Sequence, residues 1–101
     1  MIKLEFFVPE SHLEATKQAV FAAGAGRIGN YDSCCWVTEG RGQFRPLAGA
    51  DAFIGQQGKV EVLTEFKVEL VLEAALKDAV EQALLSAHPY ETPAYQFIAL
   101  L

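Results

Sequence analysis

Twice along this chain an alternation of apolar and polar residues runs into a stripe of apolar residues at helical spacing. That repeated order restricts the available folds more than any other feature. In the first unit Ile2, Leu4, Phe6 and Val8 alternate with Lys3, Glu5 and Phe7, which puts the first set on one face of a strand over 2–8. Pro9 ends it, having no N–H to give to a ladder. Leu13, Thr16, Val20 and Ala23, with Lys17 and Phe21, then follow at three-and-four spacing and predict an amphipathic helix over 12–23. Ser11 and Glu14 read as an S-x-x-E capping box at its start, and Gly24 fits the left-handed position past its end. In the second unit Phe66, Val68, Leu70 and Leu72 alternate with Glu65, Lys67 and Glu69. Leu76, Ala79, Val80, Ala83, Leu84 and Ala87 then form one apolar stripe opposite Lys77, Asp78, Glu81 and Gln82. Pro89 stops this helix, and Tyr95, Phe97 and Ala99 alternate in a last strand.

Between the units, Ser33–Thr38 contains the strand formers Cys34-Cys35-Trp36-Val37. Gly40-Arg41-Gly42 reads as a tight reversal, and Gln43–Leu47 as a short returning arm stopped by Pro46. Residues 48–59, with Gly49, Gly55 and Gly58, read as a loop that Phe53 and Ile54 dock on the body. The order β-α-β-(β)-β-α-β is that of a ferredoxin-like α+β sandwich, one domain over 1–101 with an extended hairpin and an antiparallel sheet. Right-handed crossovers put both helices on the same face. The other face is left bare, carrying Lys3, Glu5 and Phe7 beside Glu65, Lys67, Glu69 and Val71. Such a face, with a protruding hairpin, suits contact between copies of the chain, so a homo-oligomer is expected.

Composition removes several classes of function. Eight Lys+Arg against thirteen Asp+Glu leave a net charge of −5, a sign that repels phosphate backbones, and no basic cluster offsets it locally. Nucleic acid is therefore not an expected partner. No apolar run approaches the ~18–20 residues of a membrane span, so a membrane is not one either. Met1-Ile2-Lys3-Leu4-Glu5 does not read as an export signal, which makes the expected location cytoplasmic. Two adjacent cysteines cannot form a disulfide framework.

The candidate chemistry is sparse. Gly24-Ala25-Gly26-Arg27-Ile28-Gly29 matches G-x-G-x-x-G but follows a helix instead of a strand, so it reads as a chain reversal and not as a dinucleotide site. Cys34 and Cys35, vicinal in the expected strand, would point to opposite faces, one of them a small core residue. Trp36 reads as a packing anchor in the core or at an interface. His88-Pro89-Tyr90-Glu91 is the densest polar cluster. At the C-terminal end of a helix the dipole favours the charged form of His88, and the plain reading is a helix cap with Tyr90 packing its ring. The functional reading is a ligand or divalent-metal contact through the His88 imidazole and the Glu91 carboxylate. Cys34, Glu39 or a neighbouring subunit would add a third ligand. Arg41 and Arg45 flank the hairpin, where they suit inter-subunit ion pairs or a small anion. No catalytic set is read.

The residues that carry a resemblance run nearly the length of the chain. They are Gly24–Gly29 continuing Asn30-Tyr31-Asp32-Ser33-Cys34, then Thr38-Glu39-Gly40-Arg41-Gly42-Gln43-Phe44-Arg45-Pro46, Gly49-Ala50, Phe53-Ile54-Gly55, and Ala87-His88-Pro89-Tyr90-Glu91-x-Pro93-Ala94-Tyr95. In this order they resemble the Nif-three-like family, often labelled GTP cyclohydrolase type 2 homologues, and within it the inserted domain of many bacterial members. The resemblance implies a fold similar to the PII signalling and CutA-like proteins, and a trimer or a similar small ring. The family's two metal ions are held in the portions flanking the insert, whereas this sequence has only His12 and His88, so a stand-alone insert without the dinuclear centre is expected. The one-sided core, the exposed hairpin arm and the missing catalytic set point to a non-enzymatic assembly or regulatory module, the other expectation being a protein that holds a divalent metal or small ligand between subunits. The shared positions invite a site at Glu39, Arg41, Arg45, His88, Tyr90 and Glu91.

Overall fold

Strands β1 (Ile2–Pro9), β2 (Trp36–Phe44), β3 (Glu61–Leu72) and β4 (Tyr95–Ala99) form one sheet in the order β2-β3-β1-β4, with every neighbouring pair antiparallel. Helices α1 (Leu13–Ala22) and α2 (Lys77–Ala87) are the crossovers, and each is entered through a single 3-10 turn, Glu10–His12 and Ala74–Leu76. The computed structural model describes residues 1–101. The ferredoxin-like α+β fold expected from the alternating pattern is the fold observed.

The periodicities assign the faces correctly. Leu4, Phe6 and Val8 sit opposite Leu70, Val68 and Phe66 in register, and Leu4, Phe6, Val8 and Val68 are fully buried. Val20 of α1 and Val80 and Leu84 of α2 close over them, equally buried, so both helices lie on this face. Each such side chain contributes about 1.5–3 kcal/mol by leaving water. Gly24 takes φ +105° after α1 and Gly26 takes φ +78°. A Cβ at Gly26 would meet the Cys34 carbonyl at 2.8 Å, and its N–H donates to Val71 O at 2.8 Å. The G-x-G-x-x-G string is thus the chain reversal that its position after a helix predicts.

Three expectations need correction. The capping box does not form. The chain leaves β1 straight into a 3-10 turn, which places Ser11 inside the turn, where its Oγ meets His12 Nδ1 at 2.8 Å; Glu14 pairs instead with Lys17 at 2.9 Å. Gly40-Arg41-Gly42 makes no reversal either. β2 continues through it to Phe44, paired with β3 from Trp36↔Glu69 to Phe44↔Glu61, so Gln43 and Phe44 belong to the same strand and the returning arm is β3. The glycine at position 42 serves a neighbour, because a Cβ there would overlap the Glu65 carboxylate. Cys34 and Cys35 precede β2 instead of alternating within it, since Ser33 at φ +58° turns the chain before Trp36; both are half-buried. Of the two places expected for Trp36, the core is excluded and an interface is left, since it is 70% exposed at the start of β2.

The expected docking of the loop at 48–59 is borne out. Phe53 stands edge-on to the His12 ring at 5.4 Å between centroids, and Ile54 is half-buried.

Candidate functional site

The face of the sheet away from the helices divides into two parts. Near the middle, Glu5 of β1 and Glu69 of β3 are direct cross-strand partners, a like-charge pair that alone would push the strands apart. Lys3 Nζ sits 3.1 Å from Glu5 and 2.6 Å from Glu69, and Lys67 Nζ lies 3.6 and 3.8 Å from the same carboxylates. Gln96 of β4 donates to Glu5 Oε1 at 2.6 Å. The Gln96 and Lys3 hydrogen bonds hold the Glu5 carboxyl below its usual range, and those from Lys3 to Glu69 and Glu5 raise the Lys3 ammonium. Two lysines against two glutamates leave this patch without net charge. Trp36, the cross-strand partner of Glu69, and Ile98, the partner of Lys3, border it from the two edge strands, 70% and 40% exposed.

The other part is covered. The β2–β3 loop and the segment after α2 close over Phe7, Phe44 and Glu65 and leave a cavity of about 250 Å³. Tyr90 reaches into it. Its hydroxyl donates to Glu65 Oε2 at 2.7 Å, and burial together with that bond raises the phenol well above its ordinary range, so it stays protonated. The Phe44 and Phe53 rings lie 6.0 and 6.4 Å from the Tyr90 ring, tilted by 55° and 47°. Glu91 Oε2 accepts the Asp51 N–H at 3.1 Å and ties the two covering segments together. Arg45 is exposed in the cavity's lining.

His88 is the hinge of this arrangement. It caps α2, its N–H donating to Leu84 O at 2.9 Å, and it is 6% exposed. Nδ1 accepts the Tyr90 N–H at 3.1 Å, which assigns the ring proton to Nε2, and Nε2 donates to Phe7 O at 2.6 Å. The charged imidazole expected at a helix C-terminus is therefore corrected: burial outweighs the favourable carbonyl and pushes the pKa down. The Tyr90 ring packs as expected, and its partner is the His88 ring at 4.9 Å between centroids. Because the folded ring is neutral, the unfolded chain takes up a proton first as pH falls. The stability from this group is complete above the unfolded pKa of about 6.5 and declines below it until the folded ring also titrates. The urea midpoint should accordingly be lower at pH 5.5 than at pH 7.5, with a shallower slope in His88→Gln; equal slopes for the two proteins would contradict the neutral ring.

Of the residues singled out from sequence, Arg45, Tyr90 and Glu91 line the cavity and His88 lies directly behind Tyr90. Glu39 and Arg41 do not join them. They are exposed on β2, opposite Phe66 and Thr64, on the sheet face away from Glu65. Cys34 is apart as well, lining a separate groove with Lys3, Trp36 and Glu69. His88, Glu91 and Cys34 thus do not converge within one chain, and no three His, Cys, Asp or Glu side chains cluster as a metal site requires. The cavity's other walls, Phe7, Phe44 and Glu65, were not legible as site residues. The alternation put Phe7 and Glu65 on the bare face, and nothing local showed that a loop would fold over them.

No family model matches the chain. A protein named GTP cyclohydrolase 1 type 2 homolog from Halalkalibacterium halodurans is 41% identical over 100 residues, 99% of this chain and 27% of that one. Its namesake from Mycobacterium leprae is 44% identical over 99 residues, 98% and 26% of the two chains. The chain therefore spans about a quarter of the length of the curated relatives it matches. Among solved structures, a Bacillus cereus protein related to NIF3 superposes with a TM-score of 0.84 at 38% identity, over 98% of this chain and 25% of that one. CutA1 from Pyrococcus horikoshii gives a TM-score of 0.69 at 20% identity, covering 99% and 83%; the PII-like protein CutA from Nostoc gives 0.70 at 15%, covering 99% and 81%. These last two bear on the fold alone. The resemblance to Nif-three-like proteins and to the CutA and PII fold is borne out.

Proposed function

We propose that this chain, a relative of one segment of the NIF3-like proteins, is an assembly module whose copies join across the uncovered half of the sheet. The observation that carries this reading is the make-up of that half. A charge cluster already neutralised within one chain is bordered by an exposed Trp36 on one edge strand and an exposed Ile98 on the other. Ion pairs satisfied at home can be covered by a neighbour without leaving a buried charge unpaired. The indole and the Ile98 side chain supply the apolar anchors that central interface residues need. Three copies is the number the family resemblance implies. In this reading the chain is a cytoplasmic regulatory or assembly domain and not an enzyme, and both nitrogens of the His88 imidazole behind Tyr90 are held by main chain.

Trp36 is the sole tryptophan, which makes its fluorescence a direct report on that surface. At tens of micromolar the emission should be that of a buried indole, and dilution to nanomolar concentration should shift it to the red as copies separate. A water-exposed emission at every concentration would remove the reading.

A further inference from the structure

We propose that the cavity over Phe7 binds a small organic cation, an alkyl- or quaternary ammonium, held by the Phe44, Phe53 and Tyr90 rings and by the Glu65 and Glu91 carboxylates. Nothing in the assembly reading requires or assigns such a site. The three rings are not stacked flat on one another; at tilts of 47–55° they offer π-faces in different directions around one space of about 250 Å³. A cation within ~6 Å of such faces is attracted by the ring quadrupole, more strongly where water is excluded. Each carboxylate uses one oxygen on the protein, Glu65 on the Tyr90 hydroxyl and Glu91 on the Asp51 N–H, and both retain a second oxygen as acceptor. Glu65 can lie against β2 only because Gly42 has no side chain. Among the lining groups two carboxylates oppose one guanidinium, Arg45; Arg45 and Glu91 are exposed, whereas Glu65 and Tyr90 are half-buried. A chain of net charge −5 attracts a cation and repels an anion at long range as well.

Choline, its neutral isostere 3,3-dimethyl-1-butanol and inorganic phosphate distinguish the possibilities, titrated separately into the ¹⁵N-labelled 101-residue chain and followed by amide chemical shifts. Choline should shift the amides of Phe44, Phe53 and Tyr90, with an affinity at least tenfold above that of the neutral isostere. Phe53→Ala, which removes a ring already 51% exposed, should weaken choline about tenfold with the rest of the spectrum in place. Should that variant unfold, Glu91→Gln provides the second test, with a several-fold loss expected. Equal binding of the isostere, a response to phosphate instead of choline, no response to millimolar choline, or unchanged choline affinity in Glu91→Gln would each overturn the proposal.

Discussion

Phe6→Ala should cost about 3–5 kcal/mol, a large share of the roughly 5–15 kcal/mol that stabilises an ordinary domain. The size of the effect follows from where the ring sits. Phe6 is the largest of the fully buried side chains, on the central strand β1, between Val68 of β3 and Tyr95 of β4 in register. β3 is held from its far side by its ladder with β2, and Val20, Val80 and Leu84 come down from the helices above. Sheet and helices cannot both move inward to fill the hole, so the cavity term adds to the lost transfer energy. Urea denaturation followed by circular dichroism should show a lower midpoint with little change in slope. A loss below about 1 kcal/mol would mean that the core collapses around the alanine and that the packing described is looser than the burial implies.

Trp36→Ser is the second large effect, and it acts on assembly with little cost to the fold. With 70% of Trp36 exposed in the single chain, its only hydrogen bond runs from Nε1 to Thr38 Oγ1 at 3.1 Å, so the stability of one copy should change by about 0.5 kcal/mol or less. Where the indole is buried against a second copy, the same truncation should weaken association at least a hundredfold, which corresponds to roughly 2.7 kcal/mol. Light scattering of the variant should report single chains at concentrations where the parent is associated, with the same urea midpoint for the dissociated forms. An unchanged mass for the variant would move the interface elsewhere on the molecule.

How far the sequence carries the fold can be judged from particular elements. Strands β1 and β3 and both helices are legible because one face of each is buried, and burial imposes a period of two or of 3.6 on the residues. β2 is not legible. Beyond Val37 its residues stand clear of the core, so Gly40, Arg41 and Gly42 show no alternation, and two glycines around an arginine look like a turn. Only the partner strand and the Glu65 carboxylate lying over Gly42 reveal why the backbone there is extended. The site is legible in part for a similar reason. His88, Tyr90 and Glu91 stand together in the chain, whereas the contacts that define them come from Phe7, Phe44, Glu65 and Asp51, up to 81 residues away. The charge of His88 is not legible from its place in the chain, because the helix dipole acts locally while the burial that overrides it comes from the end of β1 and the fold around it.

Sedimentation equilibrium of the unmodified protein at tens of micromolar decides whether copies of this chain meet across the uncovered half of the sheet. A mass three times the chain's 11.0 kDa is expected, falling toward a single chain on dilution. A mass of 11.0 kDa throughout that range would contradict it.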